Sequence, residues 1–182
     1  MRIIPLDSSH KGTKLLFRYS TNRHYRAVVA CGPGGFGVSF MEETLSGTLV
    51  KEFDGTLLED WLENPLLFAM EHGDRHIGYV ELDHERWNNR VRVTNLWVEE
   101  GRRRDGVGRA LLAKAEEEAR ALGARCMVLE TQSSNWPALC FYRAMGFAFT
   151  GCDLTAYSDD DVERGEVRLE LAKVFGRGSC VE

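Results

Sequence analysis

An α/β domain with at least one parallel crossover is the fold this sequence predicts, and three observations carry the prediction. Segments of strand and helix character alternate from Arg90 to Leu171. A glycine-rich turn joins the first of those strands to an amphipathic helix. The 182 residues are 43% hydrophobic and 28% charged, enough apolar material to close one core and too much for a disordered chain. One domain spanning 1–182 is the natural reading of that length.

From the N-terminus, the first punctuation is Cys31-Gly32-Pro33-Gly34-Gly35-Phe36-Gly37, whose glycines and proline predict a flexible loop. No Lys-Ser/Thr pair follows it, which argues against a phosphate cradle. Thr56 to Leu67 sets Leu57, Leu58 and Trp61 on one helical face and closes at Asn64-Pro65, so a helix is expected there. Leu67–Met70 and Ile77–Leu82 flank His72-Gly73-Asp74-Arg75, a hairpin signal. Arg90 to Val98 alternates polar and apolar and then turns apolar, as a strand does on entering a sheet interior.

Val107, Leu111, Leu112, Ala115, Ala119 and Leu122 recur at helical spacing, and Gly123 stands where a helix should end. Cys126–Thr131 reads as a strand, and Asn135–Met145 as a second helix with a proline in its first turn and Gly146 after its end. Phe147–Cys152 and Glu166–Leu171 complete the strands, with a polar loop around Ser158-Asp159-Asp160-Asp161 between them.

Charge and composition exclude several classes. Lys and Arg total 23 against 28 Asp and Glu, a net charge of −5, which disfavours a broad nucleic-acid-binding surface. No stretch approaches the ~18 consecutive apolar residues of a spanning helix. The charged Met1-Arg2 start leads into no apolar signal core. Cys31, Cys126, Cys140, Cys152 and Cys180 are odd in number and form no C-x-x-C pair. Reduced thiols in a cytoplasmic protein, with no metal site and no membrane or nucleic-acid partner, are the expectation.

The chemistry concentrates at Arg103-Arg104-Asp105-Gly106-Val107-Gly108. Glycines between a strand and a helix let several backbone N–H groups converge on one anion, and the helix N-terminus adds positive potential. Arg102, Arg103, Arg104 and Arg109 surround the turn with guanidinium groups suited to a pyrophosphate or ribose phosphate. The spacing matches neither a Rossmann fingerprint nor a P-loop. R-x-x-G-x-G after a strand resembles the acetyl-CoA signature of the GCN5-related N-acetyltransferases. The resemblance extends through Asn135-Trp136-Pro137-Ala138-Leu139-Cys140-Phe141-Tyr142-Arg143-Ala144-Met145-Gly146-Phe147, the N-x-x-A-x-x-F-Y-x-x-x-G-F block of that family. It covers about residues 68–172, an acetyl-CoA core, and leaves about residues 1–67 as a divergent, acceptor-side region. Leu129-Glu130-Thr131-Gln132, Asn135, Phe141-Tyr142, Gly146-Phe147 and Asp153 look especially like the streptothricin acetyltransferase branch.

That resemblance implies a twisted, mixed but mainly antiparallel sheet flanked by helices. It also implies transfer of acetyl from acetyl-CoA to a primary amine by direct transfer, with no metal. The backbone of Leu96, Trp97 and Val98 would pair with the pantetheine arm, though Trp97 serves equally as core packing. Arg103, Arg104, Asp105, Gly106, Val107, Gly108 and Arg109 would hold the pyrophosphate. Thr131, Asn135 and Ala138 would lie along the cofactor arm, with Asn135 also reading as a helix cap.

Tyr142 would protonate the departing thiolate, its alternative being a core aromatic beside Phe141. For the amine's proton, Glu81 and Glu85 are the candidate acceptors, with Glu130, Asp153 or a water chain behind them. Asn95 stands where some relatives carry an acid. Glu130, Gln132 and Asp153, with Asp159, Asp160 and Asp161, would favour a cationic small-molecule acceptor such as a streptothricin-like antibiotic, polyamine or lysine-like amine. A protein or peptide acceptor, or a non-catalytic acetyl-CoA sensor, are the alternatives. Such folds also admit a homodimer. Cys126 and Cys140 have no histidine near them in the sequence and make poor nucleophiles.

Overall fold

A computed structural model describes residues 1–176; Cys180 lies outside the described residues. The described residues form nine strands and three α-helices in two compact units. The first unit comprises Met1–Arg18, Glu52–Leu129 and the described residues from Ala172. It contains β1 (Arg2–Leu6), β4 (Pro65–His72), β5 (Arg75–Glu85), β6 (Arg90–Val98) and α1 (Val107–Ala121). β7 (Cys126–Gln132) begins in it and β9 (Arg168–Val174) ends in it. The second unit comprises Tyr19–Lys51 and Glu130–Leu171. It holds most of β2 (Lys14–Gly32) and β3 (Gly35–Thr56), and all of α2 (Trp136–Ala144), β8 (Ala148–Asp153) and α3 (Asp161–Arg164).

In the first unit β1, β4, β5 and β6 pair antiparallel in that spatial order. The two-residue turn Gly73-Asp74 closes the β4–β5 hairpin, with Gly73 at φ 63°, so the sequence signal holds. β7 then pairs with β6 in parallel through Val91–Met127 and Arg92–Val128, and α1 makes the crossover. The strand set is thus mixed and mainly antiparallel, and the class is α+β. Helix α1 buries Val107, Leu111, Leu112, Ala115 and Ala119, each large member contributing about 1.5–3 kcal/mol of burial. Gly78 of β5 explains how closely α1 approaches: a Cβ there would stand 2.9 Å from both Val107 and Leu111.

Both long helices stop by one device. At α1, the N–H of Gly123 (φ 70°) bonds the Arg120 carbonyl and that of Ala124 bonds Ala119. At α2, Gly146 (φ 87°) bonds Arg143 and Phe147 bonds Tyr142. This is the Schellman cap, in which glycine takes the left-handed position. In α2 it has a chemical consequence, because the cap sets Phe147 against Tyr142, ring centroids 5.9 Å apart.

The N-terminal third departs from expectation. The glycine cluster is the tight Pro33-Gly34 turn of a long two-stranded ribbon, β2 paired with β3. Thr56–Leu67 is not a helix: β3 ends at Thr56, an irregular loop follows and β4 begins at Pro65. Leu57 and Leu58 are buried as the pattern required, but Leu58 has φ 56° and Trp61 is exposed. A left-handed leucine cannot sit inside a right-handed helix. Its N–H is instead held 2.6 Å from the Glu81 carboxylate, a long-range contact that overrides the local pattern.

Candidate active site

In the first unit the site is built on β6 and the turn that follows it. β5 holds one edge of β6 through Gly78–Val98, Tyr79–Trp97, Val80–Leu96 and Glu81–Asn95. The ladder to β7 on the other edge consists of Val91 and Arg92, and the register between β5 and β6 shifts at Glu81/Leu82. Leu96, Trp97 and Val98 are half-buried. The Trp97 indole donates to the Leu16 carbonyl at 2.9 Å and leans, with Tyr79, on the Leu15, Leu57, Leu58 and Leu67 cluster. Its side chain therefore packs.

After β6 the chain makes a single 3₁₀ turn, Glu100–Arg102, and reaches α1 through Arg104 at φ 71° and Gly106 at φ 83°. Among the described residues no side chain caps α1, and its first intrahelical bond runs from the Ala110 N–H to Gly106. Helix geometry leaves the N–H groups of Val107, Gly108 and Arg109 without partners in the helix, an anion-binding arrangement. Arg103, Arg104 and Arg109 are exposed and form no ion pair among the described residues, whereas Arg102 reaches Asp105 at 3.8 Å. A cradle of free amides ringed by free guanidiniums suits the pyrophosphate of acetyl-CoA.

The two candidate proton acceptors differ sharply. Glu85 is bound by Arg90 and, at 2.7 Å, by Arg92. Partial burial pushes its pKa up, and the hydrogen bonds from these guanidiniums outweigh it, so the carboxyl is held below its usual range. Glu81 is 1% exposed and accepts from the Leu58 N–H (2.6 Å), the Thr94 hydroxyl (2.6 Å) and the Asn95 amide (2.8 Å). Asn95 spends its amide on two acceptors, Glu81 and the Thr56 carbonyl at 3.3 Å. This fixes which end of the amide faces them. Glu81 thus fastens the 57–64 loop and Asn95 to one point on β5.

In the second unit Asn135 caps α2 by accepting from the Ala138 N–H at 3.3 Å. Tyr142 is half-buried, with Phe141 and Phe147 within 5.4 and 5.9 Å of its ring. Burial pushes its phenol up to about 12, so it keeps its proton across the neutral range. Ser133 and Ser134, between β7 and α2, are buried. Ser134 bonds the Tyr19 hydroxyl at 2.8 Å, and Ser133 accepts from the Val167 N–H at 3.1 Å. Nothing in the local sequence around these serines announced that pairing, which links positions far apart in the chain.

The acceptor-side candidates are also in the second unit. Glu130 is exposed, and Thr131 and Gln132 are half-buried. Arg168 bonds Asp153 at 3.2 Å and lies 3.7 Å from Glu130. Lys51 pairs with Glu166. Burial first, then the charges of Glu130, Glu166 and Asp161, push the phenol of Tyr157 up despite Arg168. Of the groups that make this negative field, the sequence indicated Glu130 and Asp161 but not Glu166. Asp161 itself is buried and accepts from the Tyr157 N–H at 2.9 Å and Ser158 at 2.6 Å, so it shapes its own loop. The Cys152 thiol is pushed up by burial and by Asp153, which makes it a weak nucleophile.

A family model described as Acetyltransferase (GNAT) family matches residues 39–147, and the chain belongs to that family. It is an acetyl-CoA-dependent N-acetyltransferase of the GNAT type, close to the streptothricin acetyltransferases. It is 33% identical over 147 residues to a streptothricin acetyltransferase of Streptomyces lavendulae, covering 76% of this chain and 77% of the relative. The crystal structure of a nourseothricin acetyltransferase superposes with a TM-score of 0.74 at 28% identity, covering 95% of this chain and 97% of that one. A Bacillus anthracis str. Ames protein assigned as a streptothricin acetyltransferase, solved with acetyl coenzyme A, shares the fold. Its TM-score is 0.66 at 20% identity, with coverage of 96% and 99%. The expected acetyltransferase fold and family are thereby established.

Proposed function

We propose that this enzyme acetylates a primary amine of a small cationic molecule, with a streptothricin-like antibiotic the foremost acceptor and polyamines or lysine-like amines behind it. The observation that carries this reading is the 33% identity to a streptothricin acetyltransferase across three quarters of both chains. The second unit supports it electrostatically: Glu130 and Asp153 stand beside Arg168, Glu166 pairs with Lys51, and Glu130, Glu166 and Asp161 all push the Tyr157 phenol up. Glu130, Gln132 and Asp153 recognise the acceptor in this reading, by charge and hydrogen bonding.

Acetyl-CoA supplies the thioester carbonyl that the amine attacks. The N–H groups of Val107, Gly108 and Arg109, with the Arg103, Arg104 and Arg109 guanidiniums, bind its pyrophosphate. Asp105 and Gly106 shape that turn. The backbone of Leu96–Val98 adds hydrogen bonds along the arm as a strand would, and Thr131, Asn135 and Ala138 line it. Tyr142 holds its proton at the phenolic oxygen and delivers it to the leaving sulfur. Glu81, spoken for by three donors, acts as a positioning residue, and Glu85 stays in its arginine pair. Water therefore takes the proton from the amine.

The test is thiol release from acetyl-CoA against streptothricin, spermidine, lysine, aminoglycosides and short peptides, with product masses read from the same reactions. Turnover on streptothricin or another small cationic amine supports the proposal. Turnover confined to peptides, or none with any amine despite acetyl-CoA binding, overturns it.

A further inference from the structure

We infer that Asn95 is a catalytic residue: its Oδ1 accepts an N–H of the attacking amine and makes the enzyme select primary amines. The inference rests on the proposed transfer to a primary amine, whichever amine that is. All the groups that orient Asn95 belong to the first unit.

The Asn95 amide is held in one orientation. Its nitrogen donates to the Glu81 carboxylate at 2.8 Å and to the Thr56 carbonyl at 3.3 Å, which uses both of its hydrogens. Oδ1 is thereby turned away from Glu81, and among the described residues it accepts no hydrogen bond, although the side chain is half-buried. A fixed, sheltered carbonyl without a donor calls for a partner. Glycine at position 55 keeps other side chains off this oxygen: a Cβ there would stand 3.2 Å from Oδ1 and 2.6 Å from the Phe17 ring. Phe17 stacks on Phe53, and beside such an apolar wall a hydrogen bond is stronger than in water. Glu81 adds to this, because a carboxylate pulling on the amide N–H polarises the amide toward Oδ1.

The place of Asn95 on β6 identifies the donor. The turn proposed for the pyrophosphate follows the C-terminal end of β6. An acetyl-CoA arm bound there runs back past Val98, Trp97 and Leu96, and its thioester end arrives at Asn95. β6 pairs with β7 earlier, through Val91 and Arg92, which leaves the later edge to the arm. In the attack the nitrogen lone pair forms the C–N bond while the carbonyl π pair moves to oxygen. One N–H proton passes to water. The C–S bond then breaks with its pair going to sulfur, which takes the Tyr142 proton. The N–H held by Asn95 is the one that survives in the amide product. That bond strengthens as the nitrogen becomes positive, so it favours the transition state over the bound substrate. A secondary amine has a single N–H, must give it to water, and leaves Oδ1 unpaired.

The test begins with wild-type turnover of streptothricin, spermidine, lysine and a short peptide with a free α-amine; the fastest of these is used thereafter. Asn95→Ala should lower kcat about 10–100-fold, the worth of one hydrogen bond to a group that becomes charged. Acetyl-CoA affinity by calorimetry should stay within about twofold, as for a contact made to the other substrate. Thr94→Val removes a different partner of Glu81 and leaves both bonds of the Asn95 amide, so its kcat should fall less than about threefold. Urea unfolding verifies that both variants are folded in the assay. Wild type should also turn over the N-methyl derivative of the chosen amine at least about tenfold more slowly. Equal kcat losses in the two variants make Asn95 part of the clamp and overturn the inference, as does an unchanged kcat in Asn95→Ala. Comparable wild-type turnover of the N-methyl derivative overturns it without any variant. Turnover confined to the peptide overturns the small-molecule acceptor alone, and Asn95 is then judged on the peptide; no turnover of any amine overturns both.

Discussion

Replacing Glu81 by Gln tests whether this buried carboxylate clamps the site or takes a proton. All three partners of Glu81 are donors: the Leu58 N–H, the Thr94 hydroxyl and the Asn95 amide. Glutamine keeps one acceptor oxygen and turns an NH₂ group toward the others. Thr94 can rotate its hydroxyl to accept, but the Asn95 amide or the Leu58 N–H is then left facing a donor. Loss of one hydrogen bond to a charged group is worth about 1.5–3 kcal/mol, and a buried unpaired donor adds about 1–3 kcal/mol. With partial relief at Thr94, the expected destabilisation is about 2–4 kcal/mol. Urea unfolding of wild type and variant measures it. Activity should fall with it because the 57–64 loop and Asn95 lose their anchor, while the shape of the pH–rate profile is retained. A stability loss below about 1 kcal/mol, or a profile that loses its acid limb in an equally stable variant, would refute the clamp and make Glu81 the proton acceptor.

Other expectations follow from the same geometry. Tyr142→Phe should lower kcat by about 10²–10⁴-fold with acetyl-CoA affinity unchanged, checked by steady-state kinetics beside calorimetric binding. Because burial raises the Tyr142 phenol from 10.0 to about 12, wild-type kcat should show no loss attributable to this group as pH passes 10. Gly106→Ala forces a Cβ into the left-handed region at φ 83°, a cost of about 1–2 kcal/mol. The KM for acetyl-CoA should rise roughly tenfold while kcat moves less than about twofold. Glu85 has its pKa lowered when folded, so its stabilisation is fully present above the ordinary value of 4.5 and lost as pH falls through the lower folded value. Glu85→Gln should therefore flatten the acid side of the stability–pH curve measured by denaturant titration.

The parts of the fold legible in the sequence are those stabilised by local rules. Gly73-Asp74 announced its hairpin, the 3.6-residue spacing announced α1, and Gly123 and Gly146 announced two helix ends that the structure places at Schellman caps. The ribbon was hidden because β2 turns Thr21 and His24 inward beside Tyr19 and Ala27, which breaks the apolar alternation that identifies a strand. Beyond Val28 the ribbon has no buried face to leave a pattern. The Thr56–Leu67 segment misled because Leu57 and Leu58 are buried by contacts with Leu15, Leu67 and β5, not by a helical face. At the candidate site, the turn before α1 was readable from its glycines, and the structure places Gly106 there at φ 83°. Partners across the chain were not: Glu81 gave no sign of its three donors, and Asp161, read as one member of an acidic field, is buried and holds its own loop.

The most direct measurement is the initial velocity with acetyl-CoA and streptothricin both varied, together with the mass of the product. Acetylated streptothricin and double-reciprocal lines that intersect are the predicted result, since direct transfer requires both substrates to be bound at once. Parallel lines with an acetylated form of the protein, or no acetylated streptothricin at any concentration, would contradict it.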